Sequence, residues 1–188
     1  MDKIRLLVNA RARGFTLLEL VIAIAIVAIL GVVLVPTFRG EREKLETKEF
    51  VAKLNTLMQA AWQQALSSQK VQRVFFDFNK KSIALSEQSD KDEKNFVLVR
   101  GPYITTEIAI PANYYFRNFY IQGTDEMGRG GKRKDSWFFL MPSGVAQDVI
   151  INIMNQDEDM SEGDAQKFGL VLNPFSAQFG YYDSYQKP

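Results

Sequence analysis

The residues best placed for chemistry are a glycine–phenylalanine junction and a lone carboxylate, just ahead of a long apolar run. They lie in the string Arg11-Ala-Arg-Gly-Phe-Thr-Leu-Leu-Glu-Leu20, and the apolar run continues unbroken to Val35. Glu19 is the only charged residue between Phe15 and Phe38. A carboxylate near the centre of a membrane helix costs about 2.5–3.5 kcal/mol, so a lone one usually has a partner or a function. The alternative is that Glu19 only marks the membrane boundary, with the span starting at Leu20.

The apolar segment is long enough to cross a bilayer. As a helix rising about 1.5 Å per residue, residues 15–38 would extend about 36 Å. The hydrocarbon core of a bilayer is about 30 Å thick. We therefore expect a transmembrane helix at residues 15–38.

This order of features resembles the class III signal of type IV pilins and of the pseudopilins of type II secretion systems. In that family a membrane peptidase cuts after the glycine and methylates the new N-terminal phenylalanine. The resemblance implies that residues 1–14 are a leader, that prepilin peptidase cleaves between Gly14 and Phe15, and that Phe15 is N-methylated. It also implies that Glu19 is the family's acidic residue, and Pro36 lies where many members carry a helix-bending proline.

Cleavage would give Glu19 a partner. Removal of the leader creates an α-amino cation on Phe15, and methylation keeps that charge. In a filament, Glu19 of a neighbouring subunit could neutralise this cation, because burying a matched ion pair is far less unfavourable than burying one ion alone. Such pairing would also set the axial register of the subunits.

The leader is basic and unlike a conventional secretory signal. Lys3, Arg5, Arg11 and Arg13 stand against Asp2, and no A-x-A-like cleavage site follows the apolar run. Because a positive flank stays cytoplasmic, we expect a single-pass protein of a bacterial inner membrane with a cytoplasmic N-terminus and a periplasmic C-terminal domain. An uncleaved signal anchor would explain the charge asymmetry equally well, but not the Gly-Phe-Thr-Leu-Leu-Glu string.

Composition narrows the function further. The chain has 188 residues with no histidine and no cysteine. Catalysis by Ser-His-Asp or Cys-His, His-containing zinc sites and disulfides are therefore excluded, and we expect neither an enzyme nor a cofactor. The whole chain has a net charge of +1 and the leader one of +3, so the chain after residue 14 has a net charge of +1 − 3 = −2. A negative net charge gives no reason to expect a nucleic-acid partner. Many major type IV pilins close a C-terminal loop with a disulfide. This chain has no cysteine and cannot form one, which favours the pseudopilins.

The helical pattern continues beyond the apolar segment. Residues 39–69 are predicted to extend the helix, with a kink or local loosening at Pro36, which lacks a backbone donor. Apolar residues then recur at spacings of 3 and 4, as on one face of an amphipathic helix. We interpret this stripe as core packing; it comprises Phe50, Leu54, Leu57, Met58, Ala61, Trp62, Ala65 and Leu66.

Residues 70–188 are predicted to form a β-rich periplasmic domain. Segments rich in β-branched and aromatic residues alternate there with turn signals such as Pro142-Ser-Gly144. A long helix followed by eight or nine short strands indicates an α+β fold, with the helix packed on a mainly antiparallel sheet or a two-sheet domain. The predicted strands are residues 71–78, 82–86, 96–100, 104–110, 115–122, 136–141, 145–154, 168–172 and 177–182.

Part of this pattern looks like the H-type minor pseudopilins. The hairpin Val74-Phe-Phe-Asp-Phe78 to Ser82-Ile-Ala-Leu85 carries the resemblance, together with Trp137-Phe-Phe-Leu-Met-Pro-Ser-Gly144 leading into Val149-Ile-Ile-Asn-Ile153. In that family an aromatic strand ends at a turn glycine and a paired strand follows. The closing string Phe168-Gly-Leu-Val-Leu-Asn-Pro174 is compatible with the family's last strands.

Two charged loops could suggest ligand sites. The basic, glycine-rich residues 128–134 suggest phosphate or nucleic acid, but they do not fit the P-loop pattern and lack interleaved aromatics. The acidic residues 157–164 suggest calcium, but their spacing fails the EF-hand pattern. We interpret both as solvated loops and expect no metal site.

The sequence therefore favours a structural minor pseudopilin of a type II secretion system, assembled into a short periplasmic filament that helps export folded proteins. The implied partners are prepilin peptidase, other pseudopilins or pilins, the inner-membrane assembly platform and membrane lipid. One alternative is a minor type IV pilin for adhesion, motility or DNA uptake. The other is a signal-anchored periplasmic binding or enzymatic domain.

Overall fold

A computed structural model describes residues 16–92, 94–101, 105–128, 133–156 and 165–188, with side chains for all of these except residues 31–43. Within these residues it contains one long helix, α1, followed by ten strands. The bounds are α1 Leu17–Ser68, β1 Gln72–Asp77, β2 Ser82–Gln88, β3 Phe96–Leu98, β4 Glu107–Ala109, β5 Tyr114–Ile121, β6 Thr124–Asp125, β7 Asp135–Leu140, β8 Val149–Asn155, β9 Gln166–Asn173 and β10 Gln178–Tyr182.

The chain divides into two compact units, Met1–Glu46 and Thr47–Pro188. In the second unit α1 buries most of the predicted apolar stripe: Phe50, Leu54, Leu57, Met58, Ala61 and Ala65. Two members of the stripe differ from the prediction. Trp62 is only half-buried and Leu66 is 37% exposed, because both lie over the turn at Gly144 rather than inside the core.

The strands form two antiparallel sheets, which confirms the predicted α+β class. The first sheet has the order β3-β2-β1-β7, with β4 pairing β2 beside β3, and the second has the order β10-β9-β8-β5-β6. The predicted hairpin is β1–β2, with Phe75 opposite Ala84. The two-residue strand β6 was not predicted, since it is too short to show a periodic pattern.

One pairing that the resemblance implied is wrong. The strand that follows the turn at Gly144 does not pair with the aromatic strand before it. Strand β7 pairs with β1, whereas β8 pairs with β5 and β9 in the other sheet. No ladder joins the two sides of the turn, which meet in an isolated bridge from Leu140 to Ala146 and in the contacts of Gln147 with Phe139, since the chain crosses there from one sheet to the other.

Aromatic side chains join the two sheets and the helix into one core. Phe76 of the first sheet meets Phe119 of the second edge-to-face, with ring centroids 5.0 Å apart. Phe50 of α1 meets Tyr114 in the same way at 5.2 Å. The Tyr114 hydroxyl also donates to Thr47 Oγ1 at 3.0 Å, so the buried phenol is satisfied.

Side-chain amides close two sheet edges. Asn55 on α1 accepts from the Phe179 amide at 2.7 Å and donates to its carbonyl at 3.1 Å, as a neighbouring strand would. On edge strand β7, Gln147 Oε1 accepts from the Phe139 amide at 2.9 Å, and the Gln147 backbone amide donates to the Phe139 carbonyl at 3.1 Å. Unpaired backbone groups on edge strands invite association with other chains, and these contacts remove some of them.

Candidate functional site

The sequence places its candidate site at the start of α1. Gly14 and Phe15 lie outside the described residues, so their part of the prediction is not tested. Thr16 and Glu19 are described, and Pro36 lies within α1, although its side chain is outside the described set. The predicted kink at Pro36 therefore stays a prediction.

Thr16 and Glu19 form a capping box at the first turn of α1. Thr16 Oγ1 accepts from the Glu19 amide at 3.2 Å. Glu19 Oε2 accepts in return from the Thr16 amide at 3.0 Å and from the Thr16 hydroxyl at 3.1 Å. The first amides of a helix have no partner within the helix, and a threonine followed three residues later by a glutamate satisfies two of them.

This geometry holds the carboxylate next to the predicted cleavage site. The Thr16 amide donates a hydrogen bond to Glu19, and this amide belongs to the peptide bond that joins Phe15 to Thr16. Both contacts from Thr16 go to Oε2, and no donor among the described residues contacts Oε1. An acidic residue at a helix start is also favoured by the helix dipole.

The turns that follow Glu19 expose apolar side chains on every side. All residues from 17 to 30 are exposed, including Leu17 at 82% and Ile29 at 67%. A helix that is apolar all round is normally covered by other protein or by lipid. Within the part of the chain that the structure describes, no helix is both long and apolar enough to cross a membrane. Of the predicted span, Phe15 and the side chains of residues 31–38 lie outside that part.

Comparison with known families identifies this segment. Residues 9–35 match the prokaryotic N-terminal methylation motif. The matched range includes the Gly14–Phe15 junction and Glu19, which confirms the resemblance predicted for the N-terminal signal. The methylation motif implies an N-terminus anchored in a membrane.

Among solved structures, the chain is similar to the minor pseudopilin EpsH from the type II secretion system of Vibrio cholerae. One EpsH structure shares 14% identity at a TM-score of 0.46, over 74% of this chain and 94% of that chain. A second shares 11% identity at a TM-score of 0.43, over 74% of this chain and 99% of that chain. No curated protein gives a significant sequence match.

The two charged loops lie largely outside the described residues. This holds for residues 129–132 of the basic loop and 157–164 of the acidic loop. Arg133 at the end of the basic loop is already engaged, since it pairs with the Glu126 carboxylate and donates to the Glu126 carbonyl at 3.1 Å. Among the described residues no group of three or more acidic side chains could hold a metal ion.

A polar cluster that the sequence did not suggest lies where α1 meets the first sheet. Glu87 accepts from Gln64 at 2.8 Å and from Gln72 at 3.1 Å, and Lys70 bridges Glu87 at 3.3 Å and Asp90 at 2.8 Å. Burial acts to raise the pKa of Glu87, but the donors, led by Gln64 and Gln72, outweigh it and lower that pKa. The hydrogen bond to Asp90 raises the pKa of Lys70. The charged groups of the cluster pair with one another, although the buried Gln72 Oε1 has no partner among the described residues, and we assign the cluster a structural role.

The outward side of the first sheet carries a group of aromatic side chains among its polar residues. We call it the aromatic face and define it by five side chains: Arg73, Phe75, Phe96, Trp137 and Phe139. The signal was present in the sequence, since Val74-Phe-Phe76 and Trp137-Phe-Phe-Leu140 are apolar at consecutive positions and consecutive residues of a strand point to opposite sides. From the sequence alone these runs predict only strands.

Proposed function

We propose that this chain is a structural minor pseudopilin of a type II secretion system. The observation that carries the proposal is the methylation motif at residues 9–35, with its glycine–phenylalanine junction and acidic residue. In this proposal residues 1–14 are a leader, residues 15–38 span the bacterial inner membrane once, and the β-rich domain after residue 69 lies in the periplasm. The work of the subunit is mechanical, without catalysis or a cofactor.

Processing would create the charge that assembly uses. Prepilin peptidase would cut after Gly14 and methylate Phe15, leaving a cation at the new N-terminus. Glu19 Oε2 is held by Thr16 within the same subunit, which leaves Oε1 to accept a neighbour's cation. A carboxylate already fixed by two hydrogen bonds loses less conformational freedom when it pairs. The pair would then fix the axial register of the filament.

The exposed apolar surface of residues 17–30 supports the same assembly path. Before assembly, membrane lipid would cover these side chains. After extraction by the inner-membrane assembly platform, the helices of other pseudopilins would replace the lipid. Glu19 would be the only charge in this part of the interface, so its pairing decides whether the helices pack in register.

Cleavage is tested by changing the residue before the scissile bond. We expect Gly14→Val to remain full-length, because the peptidase must approach the backbone closely where there is no Cβ. Ala12→Val adds similar bulk two residues earlier and is the matched control. Mass spectrometry of the membrane fraction should show the control chain starting at N-methylated Phe15. A wild-type chain that keeps residues 1–14 beside an active peptidase would refute the proposal.

Two variants separate the charge of Glu19 from its capping contact. Glu19→Gln keeps an oxygen for Thr16 but removes the charge, and breaking a buried ion pair costs about 3–5 kcal/mol. Thr16→Val keeps the charge but removes the cap, which costs about 1 kcal/mol. We therefore expect Glu19→Gln to lose co-purification with other filament subunits, and Thr16→Val to lose much less. The opposite order would show that Glu19 acts only as a cap.

The cellular system is tested by deletion of the gene. Loss of protein secretion with surface motility intact is the expected result. Loss of motility with secretion intact would instead favour a minor type IV pilin. Restoration of secretion by wild type but not by Gly14→Val would tie the phenotype to processing.

A further inference from the structure

The aromatic face extends over the four strands β3, β2, β1 and β7, and its five side chains lie on three of them. Phe75 lies directly opposite Trp137, and their rings are stacked with centroids 6.2 Å apart. Arg73 lies opposite Phe139, which stacks on Phe96 of the edge strand at 5.5 Å. The face therefore combines stacked rings with one cation between them.

Arg73 is fixed in place without an acidic partner. Its Nε donates to Ser86 Oγ at 3.1 Å, and the Ser86 hydroxyl donates back to the Arg73 carbonyl at 3.3 Å. The guanidinium lies 4.5 Å from the centre of the Phe96 ring and 5.4 Å from that of Phe75. Among the described residues no carboxylate pairs with it. Burial lowers the pKa of Arg73, yet an arginine stays charged in a protein.

Apolar side chains at the edge of the face are open to solvent. Leu98 is 55% exposed and Met141 is 40% exposed, beside the half-buried rings. Aromatic residues, methionine and arginine are the residue types enriched where proteins meet. An exposed apolar patch bounded by polar groups usually marks an interaction surface.

Charge indicates what would cover this surface. The other arginine near it, Arg133, stacks on Trp137 but is already paired with Glu126. Of these two arginines, Arg73 is therefore the one without a paired carboxylate among the described residues. A carboxylate fits there, because carboxylates pair with guanidinium groups through strong, often bidentate, hydrogen bonds.

The same face is unsuited to an anionic lipid surface. Asp135 and Glu107 flank the rings on the outward side of the sheet without a paired cation among the described residues, whereas Asp77, opposite Asp135, pairs with Lys80 at 3.6 Å. These carboxylates would repel lipid phosphates. A protein segment can place a single carboxylate on Arg73 and keep apolar side chains over the rings.

We propose that the aromatic face docks a segment of a partner protein in which a carboxylate, flanked by apolar side chains, binds Arg73. The inference goes beyond the pseudopilin assignment and does not depend on it, since it rests only on residues of the first sheet. It adds a second contact surface, on strands that are distant in sequence from the helix that carries the methylation motif.

The test uses the full chain in detergent micelles and two peptides. The probes are acetyl-Ser-Phe-Asp-Leu-Ser-amide and the same peptide with asparagine in place of aspartate. Binding is followed by NMR through the Arg73 Nε–H and Trp137 indole signals. We expect the aspartate peptide to bind about fivefold tighter than the asparagine peptide, which corresponds to about 1 kcal/mol. Equal affinities would overturn the proposal.

Matched arginine variants locate the effect. Arg73→Gln should abolish the preference for aspartate, whereas Arg133→Gln should keep it, because Arg133 is already paired. A preference that survives Arg73→Gln would overturn the assignment of the carboxylate to Arg73. If Arg73→Gln does not fold, the affinities of the two peptides for wild type and for Arg133→Gln still test the proposal. Equal affinities of the two peptides for both proteins would overturn it. The anionic lipid dihexanoylphosphatidylglycerol is the comparison ligand. If it shifts the same two signals more than the aspartate peptide does, the face binds lipid and the proposal of a protein segment is overturned.

Discussion

Gly144 offers a sharp test of how the end of α1 is packed. It ends the turn Pro142-Ser143-Gly144 with φ +82°, a backbone region that side chains with a Cβ rarely adopt. A Cβ at this position would lie 2.9 Å from Trp62 Nε1 and 3.3 Å from Leu66 Cδ2. Gly144→Ala should therefore destabilise the fold both through its backbone and through the helix that covers it.

Gly123 is a matched control for the backbone part. It has the same φ of +82° in the β5–β6 turn, but a Cβ there would meet nothing within 4 Å. A left-handed conformation costs a residue with a Cβ about 1–2 kcal/mol. Overpacking adds about 1–3 kcal/mol at Gly144 alone. We expect a loss of about 1–2 kcal/mol for Gly123→Ala and about 2–5 kcal/mol for Gly144→Ala.

Thermal unfolding of the full chain in detergent, followed by near-ultraviolet circular dichroism, measures the difference. For a domain of this size 1 kcal/mol corresponds to about 4 °C in the melting temperature. The effect of alanine on the unfolded chain is the same at both glycines and cancels in the comparison. Trp62→Leu should also reduce the extra cost at Gly144, because contacting residues are not additive.

Equal losses for the two alanine variants would refute this reasoning. They would show that Trp62 moves aside at no cost and that the turn does not position the helix. If the extra loss of stability at Gly144 stays the same in the Trp62→Leu background, that loss comes from the backbone and not from the contact with the indole.

Two further predictions concern polar contacts in the second unit. Asn55→Leu should destabilise the fold by about 2–4 kcal/mol, because it orphans the amide and carbonyl of buried Phe179. Its control Thr56→Ala, whose hydroxyl bonds only a carbonyl of its own helix, should cost under about 1 kcal/mol by chemical denaturation. The lowered pKa of Glu87 stabilises the fold above the ordinary value of 4.5, and this contribution is lost as the pH falls through the folded-state value. The difference in melting temperature between wild type and Glu87→Gln should therefore be full at pH 7 and shrink as the pH falls below 4.5. A difference that is independent of pH would rule out the Glu87–Gln64 contact as its cause.

Local signals predicted most elements, because they act between residues close in sequence. Helix α1 ends at Ser68, one residue before the predicted end, and Gln69 there has φ +56°. The turn after β1 follows from Asp77, whose Oδ1 accepts from two amides of the next residues, at 3.1 and 2.9 Å. Such side-chain-to-backbone contacts are encoded within three residues.

Long-range pairing could not be predicted in the same way. Strand β1 pairs with β7, which begins at Asp135, far along the chain. The division into two sheets depends on which buried faces fit together, and no short window of sequence contains that information. The same limit explains the wrong pairing expected after Gly144. A tight turn usually joins paired strands, but here the chain changes sheets.

The N-terminal site shows why one residue can have two roles that sequence reasoning does not separate. The spacing of Thr16 and Glu19 is what a capping box requires in any helix, whether or not it enters a membrane. The methylation motif covers the same residues, and the proposed function adds an assembly role for the acid. The two roles are compatible because the cap uses one carboxylate oxygen and leaves the other. A Glu19→Ala variant would remove both at once, so its defect alone would say nothing about charge pairing. Only the pair Glu19→Gln and Thr16→Val distinguishes a carboxylate that starts a helix from one that also joins two subunits.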